Sequence, residues 1–250
     1  MELGNIIAER KNKAIYRDGD RVVKLFNEDF SKSDVLNEAL NQARVEESTA
    51  LNIHKILEVT KVDGRWAIVL EFIEGKTLDE LAREAPEKAH GYIDLMVDLQ
   101  IKMHAQKCPL LTMLRDKMSR KITLTGFGEA TKFDLQTRLD SMPQHTKVCH
   151  GDFQASNIII APGGEPYILD WSHATQGNAS ADVARTYLLY LLAGQKEDGE
   201  YYLNRFCEKT GTPRQYAEKW IPIVAASQSV KGNEEELAFL QRIVDVVEYS

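Results

Sequence analysis

The apolar residues of this 250-residue chain change their spacing near Gly75, and that change limits the folds open to it. Before it they come in short β-rich runs divided by turn residues. "KAIYR" and "RVVKLF" flank Asp18-Gly19-Asp20, and "ILEVTKV" and "RWAIVLEF" flank Asp63-Gly64, which predicts two hairpins. Between them Ser31 or Ser33 caps a helix reaching about Leu51, with Val35, Leu36, Ala39, Leu40 and Ala43 as its apolar stripe. The order is β-β-β-α-β-β. After "EFIEGKTL" the pattern turns helical: Thr77 with Glu80 three residues on reads as a capped helix start. Tyr92, Leu95, Met96, Leu99 and Met103 then fall on one face of an amphipathic helix. A small antiparallel sheet with one helix, followed by a larger and mostly helical part, makes the fold α+β.

Composition narrows the partners. A formal charge of -7 leaves no basic footprint for nucleic acid. From residue 197 onward ten acidic residues face six basic ones, so this stretch holds four of the seven net negative charges, either as a solvated helical exterior or as a surface suited to a cationic ligand. The first residues turn charged too early for a signal peptide, and no stretch has the roughly 18 uncharged apolar residues of a membrane span. A soluble, cytoplasmic protein is expected. Cys108, Cys149 and Cys207 are widely spaced and lack a C-x-x-C pair, so they suggest neither a disulfide framework nor a zinc knuckle.

The helical part is interrupted by "HGDFQASNIII" and "PYILDW", in which "NIII" and "PYILDW" read as two short strands joined by Pro162-Gly163-Gly164. Asp152, Asn157 and Asp170 lie at or beside the strand ends, where a rigid hairpin fixes side chains for chemistry. Oxygen donors without enough His or Cys suit a hard cation such as Mg²⁺, held by one or two protein ligands together with phosphate oxygens. H-G-D-F-Q-A-S-N has the spacing of the kinase catalytic loop H-R-D-x-x-x-x-N, with Gly151 in place of the Arg and Asp170 in place of the later metal-binding Asp. Any one of these residues alone reads as turn chemistry. Lys24, mid-strand among apolar neighbours, either faces solvent or meets an anion.

On these motifs the chain resembles the aminoglycoside phosphotransferase and choline kinase-like family, small-molecule kinases with a protein-kinase-like two-lobe fold. The resemblance implies a nucleotide-binding lobe over 1–72, a hinge at 73–76 and a catalytic, substrate-binding helical lobe over 77–250, with ATP between the lobes. It makes Asp152 the catalytic base, Asn157 and Asp170 the Mg²⁺ ligands, and Lys24 the phosphate-binding lysine. Glu38 becomes the partner of Lys24, although a helical wheel sets Glu46 and Glu47 nearer the apolar stripe. The backbone C=O of Glu71 and N–H of Ile73 would meet the adenine edge. Trp171, His173 and Arg185 are candidates to line the site of a small-molecule hydroxyl acceptor, with packing or solvent exposure as their ordinary reading. Asp182 is expected to brace the catalytic loop. His150 reads as a hydrogen-bonding loop member, and His104 as a cap or core residue.

Two departures qualify the resemblance. "IIAERKNKAIYR" contains none of the glycines that let a kinase's first hairpin approach phosphates, leaving Arg10, Lys11 or Lys13 to compensate by charge. Only nine residues separate Asp170 from Ser180, with no A-P-E and no activation segment, which points away from a protein substrate. The rival readings are a non-catalytic nucleotide-binding pseudokinase and a metal-dependent hydrolase using His150, Asp152, Asp170 and His173.

Overall fold

A computed structural model describes residues 3–10 and 12–245. The chain forms two compact units, one running up to Ala85 and including Ala155–Ala174, the other made of Pro86–Gln154 and the chain from Thr175 on. Among the described residues no helix is long and apolar enough to cross a membrane.

The first unit is built on an antiparallel five-stranded sheet. Its strands are β1 (Asn5–Arg10), β2 (Lys13–Asp18), β3 (Arg21–Phe26), β4 (Ile56–Val62) and β5 (Arg65–Glu71), in the order β1-β2-β3-β5-β4. The two expected hairpins and the β-β-β-α-β-β order are present. β3 and β5 lie inside the sheet, and alternate residues feed two separate cores. Val23, Leu25, Ala67 and Val69 pack together on one face. Phe26, Ile68 and Leu70 pack on the other against Val35 and Ala39 of α1 (Lys32–Ser48). Lys24 shares the period of Val22 and Phe26, so it points to the α1 face and is only 5 % exposed.

Ser31 caps α1, its hydroxyl accepting the Asp34 N–H at 3.0 Å. The buried face differs from the expected stripe. Val35 and Ala39 are inside, but Leu36 and Leu40 are 42 % and 47 % exposed, while Glu38, Asn41 and Gln42 are buried. The cause is Lys24: a buried ammonium needs a carboxylate opposite it, and turning Glu38 inward turns the two leucines out. The Asn41 and Gln42 amide N–H groups donate to backbone, to Ser172 O at 3.2 Å and His54 O at 2.7 Å, while the buried Asn41 Oδ1 has no hydrogen-bond partner among the described residues. Glu46, one of the wheel's alternatives, accepts the Ile56 N–H instead.

Past β5 the chain turns at Gly75 into the two-residue strand β6 (Lys76–Thr77), which pairs with Ile158–Ile160. Gly75 has φ +147°, and a Cβ there would come within 2.2 Å of Ile160 O, so only glycine fits. Thr77 then starts α2 (Leu78–Glu84) with a reciprocal capping box to Glu80. The Ile158–Ile160 strand forms a hairpin with Pro166–Ile168 and belongs to this unit.

The second unit is helical. It contains α3 (Ala89–His104), α4 (Leu114–Thr123), α5 (Glu129–Ser141), α6 (Ala179–Leu192), α7 (Lys196–Thr210), α8 (Arg214–Glu218), α9 (Ile221–Ser229) and α10 (Glu234–Asp245), with a short ladder between Lys147–Cys149 and Thr175–Gly177. Asn178 caps α6. α6 is buried along its first three turns because it serves two cores. Ala181, Ala184 and Leu188 pack with α4, α5, α9 and α10, and Val183 and Tyr187 pack with α3 and α7. This central helix carries Asp182 and Arg185.

Candidate active site

In the first unit two lysines and two carboxylates form one network. Lys24 Nζ lies 3.1 Å from Glu38 Oε1 and 3.4 Å from Asp170 Oδ1. Lys13 Nζ, from β2, lies 2.9 Å from the same Glu38 oxygen and 3.6 Å from Asp170 Oδ2. Burial pulls the Lys24 pKa down, but the Asp170 and Glu38 carboxylates more than reverse this, so it lies above the ordinary lysine value and the ammonium stays charged. Lys13, expected with Arg10 or Lys11 to compensate by charge for the missing glycines, is thus part of the network; Arg10 lines the same cavity, and Lys11 lies outside the described residues.

Asp170 and Asn157 are set at the mouth of the Ile158–Ile160 hairpin. The last ladder pair is Ile158 with Ile168, and the Leu169 N–H donates to Asn157 O at 2.8 Å. Asp170 then takes a left-handed backbone, φ 59° and ψ 66°, uncommon outside glycine and concentrated at functional positions. The turn after it, Trp171–His173, is tied to α1 through Asn41 and Ser172. Trp171 is fully enclosed, its indole N–H donating to Ile168 O at 3.0 Å, so it packs the first unit and has no surface to offer an acceptor. His173 is half-buried in the same turn.

These groups line a cavity of about 370 Å³ within the first unit. Lys13, Lys24, Asn157 and Asp170 supply its charged and polar wall, Ile15, Val22, Ile159 and Leu169 its apolar wall, and Glu71, Phe72 and Ile73 border it. The Glu71 N–H is spent on Lys55 O and the Phe72 N–H on Asp20 O, while the Phe72 ring takes the Arg17 guanidinium at 3.9 Å. His54 also lines the cavity. It is buried, its Nε2 has no hydrogen-bond partner among the described residues, and burial, then the Lys24 charge, lowers its pKa to about 3, so the ring is neutral. Nothing in its local sequence marks it.

In the second unit Asp152 sits on the loop after the Lys147–Cys149 strand. Gly151 has φ +80°, a conformation an Arg at this position would adopt only under strain. Its N–H donates to Asp182 Oδ1 at 2.7 Å, while Asp182 Oδ2 accepts from Gln100 Nε2 and His104 Nε2, each at 3.1 Å. Burial raises the Asp182 carboxyl pKa, but the His104 contact and the Gly151 N–H outweigh it and hold it below the usual carboxylate range. His150 Nδ1 accepts the Asp152 N–H at 3.2 Å, and Thr186 donates to Phe153 O at 2.8 Å. The loop is therefore held from α3 and α6. The Asp152 carboxylate accepts Gln154 Nε2 at 3.1 Å and meets Arg185 Nη2 at 3.5 Å. Arg185 thus stands beside Asp152 within this unit. Cys149 is buried, which raises its thiol pKa well above the ordinary value, and its Sγ donates to Asn178 O.

A family model described as "Phosphotransferase enzyme family" matches residues 8–218. No curated protein sequence matches the chain. Among solved structures, a thermostable mutant of aminoglycoside phosphotransferase APH(4)-Ia in ternary complex with ADP and hygromycin B is 15% identical and superposes with a TM-score of 0.70, covering 98% of this chain and 92% of that one. Choline kinase LicA from Streptococcus pneumoniae is 17% identical, with a TM-score of 0.64 over 98% and 92% of the two chains. The aminoglycoside-3'-phosphotransferase of type VIII is 15% identical, with a TM-score of 0.69 over 90% and 93%. At these identities the likeness is one of fold, a protein-kinase-like α+β architecture.

Proposed function

The chain belongs to the phosphotransferase enzyme family, and on that premise we propose that it moves the γ-phosphoryl group of ATP to a hydroxyl of a small molecule. The carrying observation is the Lys24–Glu38–Asp170 network on the wall of a cavity of about 370 Å³. A buried ammonium held by two carboxylates is a preformed partner for phosphate oxygens, and Glu38 keeps it aimed. Lys13 adds a second ammonium where the first hairpin lacks glycine amides. Glu71 O and Ile73 N–H would take the adenine edge at the cavity border. In functional terms the unit running up to Ala85, with Ala155–Ala174, takes the nucleotide, 73–76 is the stretch that meets the adenine edge, and the unit of Pro86–Gln154 and the chain from Thr175 on takes the acceptor.

Asp170 and Asn157 fit Mg²⁺ as hard oxygen donors at one hairpin mouth. Among the described residues no three His, Cys, Asp or Glu gather into a metal cage, which suits a cation held largely by nucleotide phosphates and speaks against the hydrolase reading. Bound there, Mg²⁺ would offset phosphate charge. Asp152 would orient the acceptor hydroxyl and take its proton. The hydroxyl oxygen bonds to the γ-phosphorus, the bond to the β–γ bridging oxygen breaks, and ADP leaves with that electron pair.

The pseudokinase reading draws on the glycine-poor hairpin, and the complete set of Asp152, Asn157 and Asp170 opposes it. ADP release across a panel of alcohols decides between them. In Asp152→Asn, turnover should fall by about 10²–10⁴ while Mg-ATP affinity stays within about twofold. Unchanged turnover in that variant would remove Asp152 as the base. ATP binding without turnover of any alcohol would favour the pseudokinase.

A further inference from the structure

The acidic balance of the chain suggested a cationic acceptor, but the surroundings of Asp152 in the second unit are basic. α4 carries Lys117, Arg120 and Lys121 at i, i+3 and i+4, one shared face. α4 packs on α9, where Lys121 Nζ meets Ser227 O at 3.5 Å, and Lys231 follows the end of α9. α9 also packs on α6, which brings in Arg185. One lysine at a helix C-terminus answers the helix dipole; five cations gathered here exceed that need.

Arg185 gives the second observation. It is 7 % exposed, donates through Nε to Gly151 O at 3.3 Å and reaches Asp152 through Nη2, yet its buried Nη1 has no hydrogen-bond partner among the described residues. A buried guanidinium N–H without an acceptor is costly. The carboxylates whose charge reaches Arg185 are already engaged. Asp152 also accepts from Gln154, Asp182 from Gly151, Gln100 and His104, and Glu236 from Gln228 and Asn233. Burial first, then mutual repulsion with Arg185, Lys231 and Arg120, lowers the pKa of Lys117 to about 7 and of Lys121 to about 8. Cations in such a cluster gain most from an anion.

We propose that this α4–α6–α9 cluster binds an anionic group of the phosphoryl acceptor, so that the molecule delivered to Asp152 carries a carboxylate or a phosphate besides its hydroxyl. The role as acceptor site rests on the phosphotransferase reading; the anion site itself does not. The test is calorimetric binding and ADP release with the full chain, using glycerate, glucose 6-phosphate, glycerol and choline as probes of four charge types. At least one anionic probe should bind and choline should not, and glycerate against glucose 6-phosphate separates carboxylate from phosphate recognition. Lys117→Met and Lys121→Met should each weaken that binding about tenfold or more, as expected for the loss of a charge-assisted contact. Mg-ATP affinity should be retained in both, which also reports that they fold. Lys209→Met, removing a lysine of α7 that pairs with Asp98 of α3, should leave anion binding unchanged. Binding confined to choline or glycerol, no binding of either anion, or anion binding that survives both α4 variants overturns the proposal. Anion binding without ADP release keeps the site and strikes the phosphotransferase reading instead.

Discussion

Lys13 and Lys24 answer to the same two carboxylates, yet they differ in what they can give up. Lys24 is the more buried, and without Glu38 or Asp170 its charge would be stranded. Lys13 approaches the same pair from β2, its side chain 13% exposed, and reaches the opposite oxygen of Asp170. If the second ammonium stands in for the missing glycine amides, Lys13→Met should raise the KM for ATP about tenfold while kcat changes less, because uniform phosphate binding is lost and the hydroxyl chemistry is not. Steady-state kinetics at saturating acceptor reads this. An unchanged KM would return Lys13 to a structural ion pair. His54 stays a neutral neighbour, since a ring with a pKa near 3 carries no charge for a phosphate at physiological pH.

Among the elements, α6 holds the loop that carries Asp152, and it does so through Asp182 and Thr186. That carboxylate collects three donors, from Gly151, Gln100 and His104. Asp182→Asn keeps the shape but replaces an acceptor oxygen with a donor, so at least one buried N–H faces another. The expected cost is about 3–5 kcal/mol of stability, as for a broken buried ion pair. kcat should fall while Mg-ATP affinity, whose groups lie in the first unit, persists. Chemical denaturation with parallel kinetics checks both, and full stability in the variant would show the loop to be held otherwise. The hairpins and the Thr77 capping box were legible because turn pairs and caps are local signals, whereas the bracing role of Asp182 came from the family resemblance and not from its neighbours in sequence. The buried face of α1 was not. Its orientation follows from a lysine on β3, fourteen residues from Glu38, and no local apolar count contains that partner. His54 and the carboxylate partners of Lys13 escaped for the same reason, since both are set by the tertiary fold.

At the scale of the whole molecule, a net charge of -7 says little about any one site, because a charge is felt over roughly a Debye length of 8–10 Å and not across a domain. Of the acidic residues from 197 onward, Glu200, Glu208 and Glu218 stand in surface ion pairs with Arg214 or Arg205, and those three leave little field to steer a ligand. The local sum around α4 has the opposite sign, and pH exposes it. Lys117 titrates near 7 with Lys121 and Arg120 on its own helix, Arg185 on α6 and Lys231 beyond α9 lowering it after burial has done most. Its folded pKa lies below the unfolded value of 10.5, so between about pH 7 and 10.5 the unfolded chain holds a proton the native chain lacks, and stability rises with pH across that window. An anion bound beside it reverses the shift. At pH 8 the free site is partly deprotonated at Lys117 and Lys121, so anion binding should draw protons in, whereas at pH 5.5 both lysines are already charged and, with the carboxylate probe glycerate, uptake should vanish. Calorimetry of the anionic probe in two buffers of different ionisation enthalpy measures that uptake directly. Uptake at pH 8 that disappears in the Lys117→Met, Lys121→Met double variant ties the proton to α4, and binding with no proton uptake at pH 8 would mean the anion sits elsewhere.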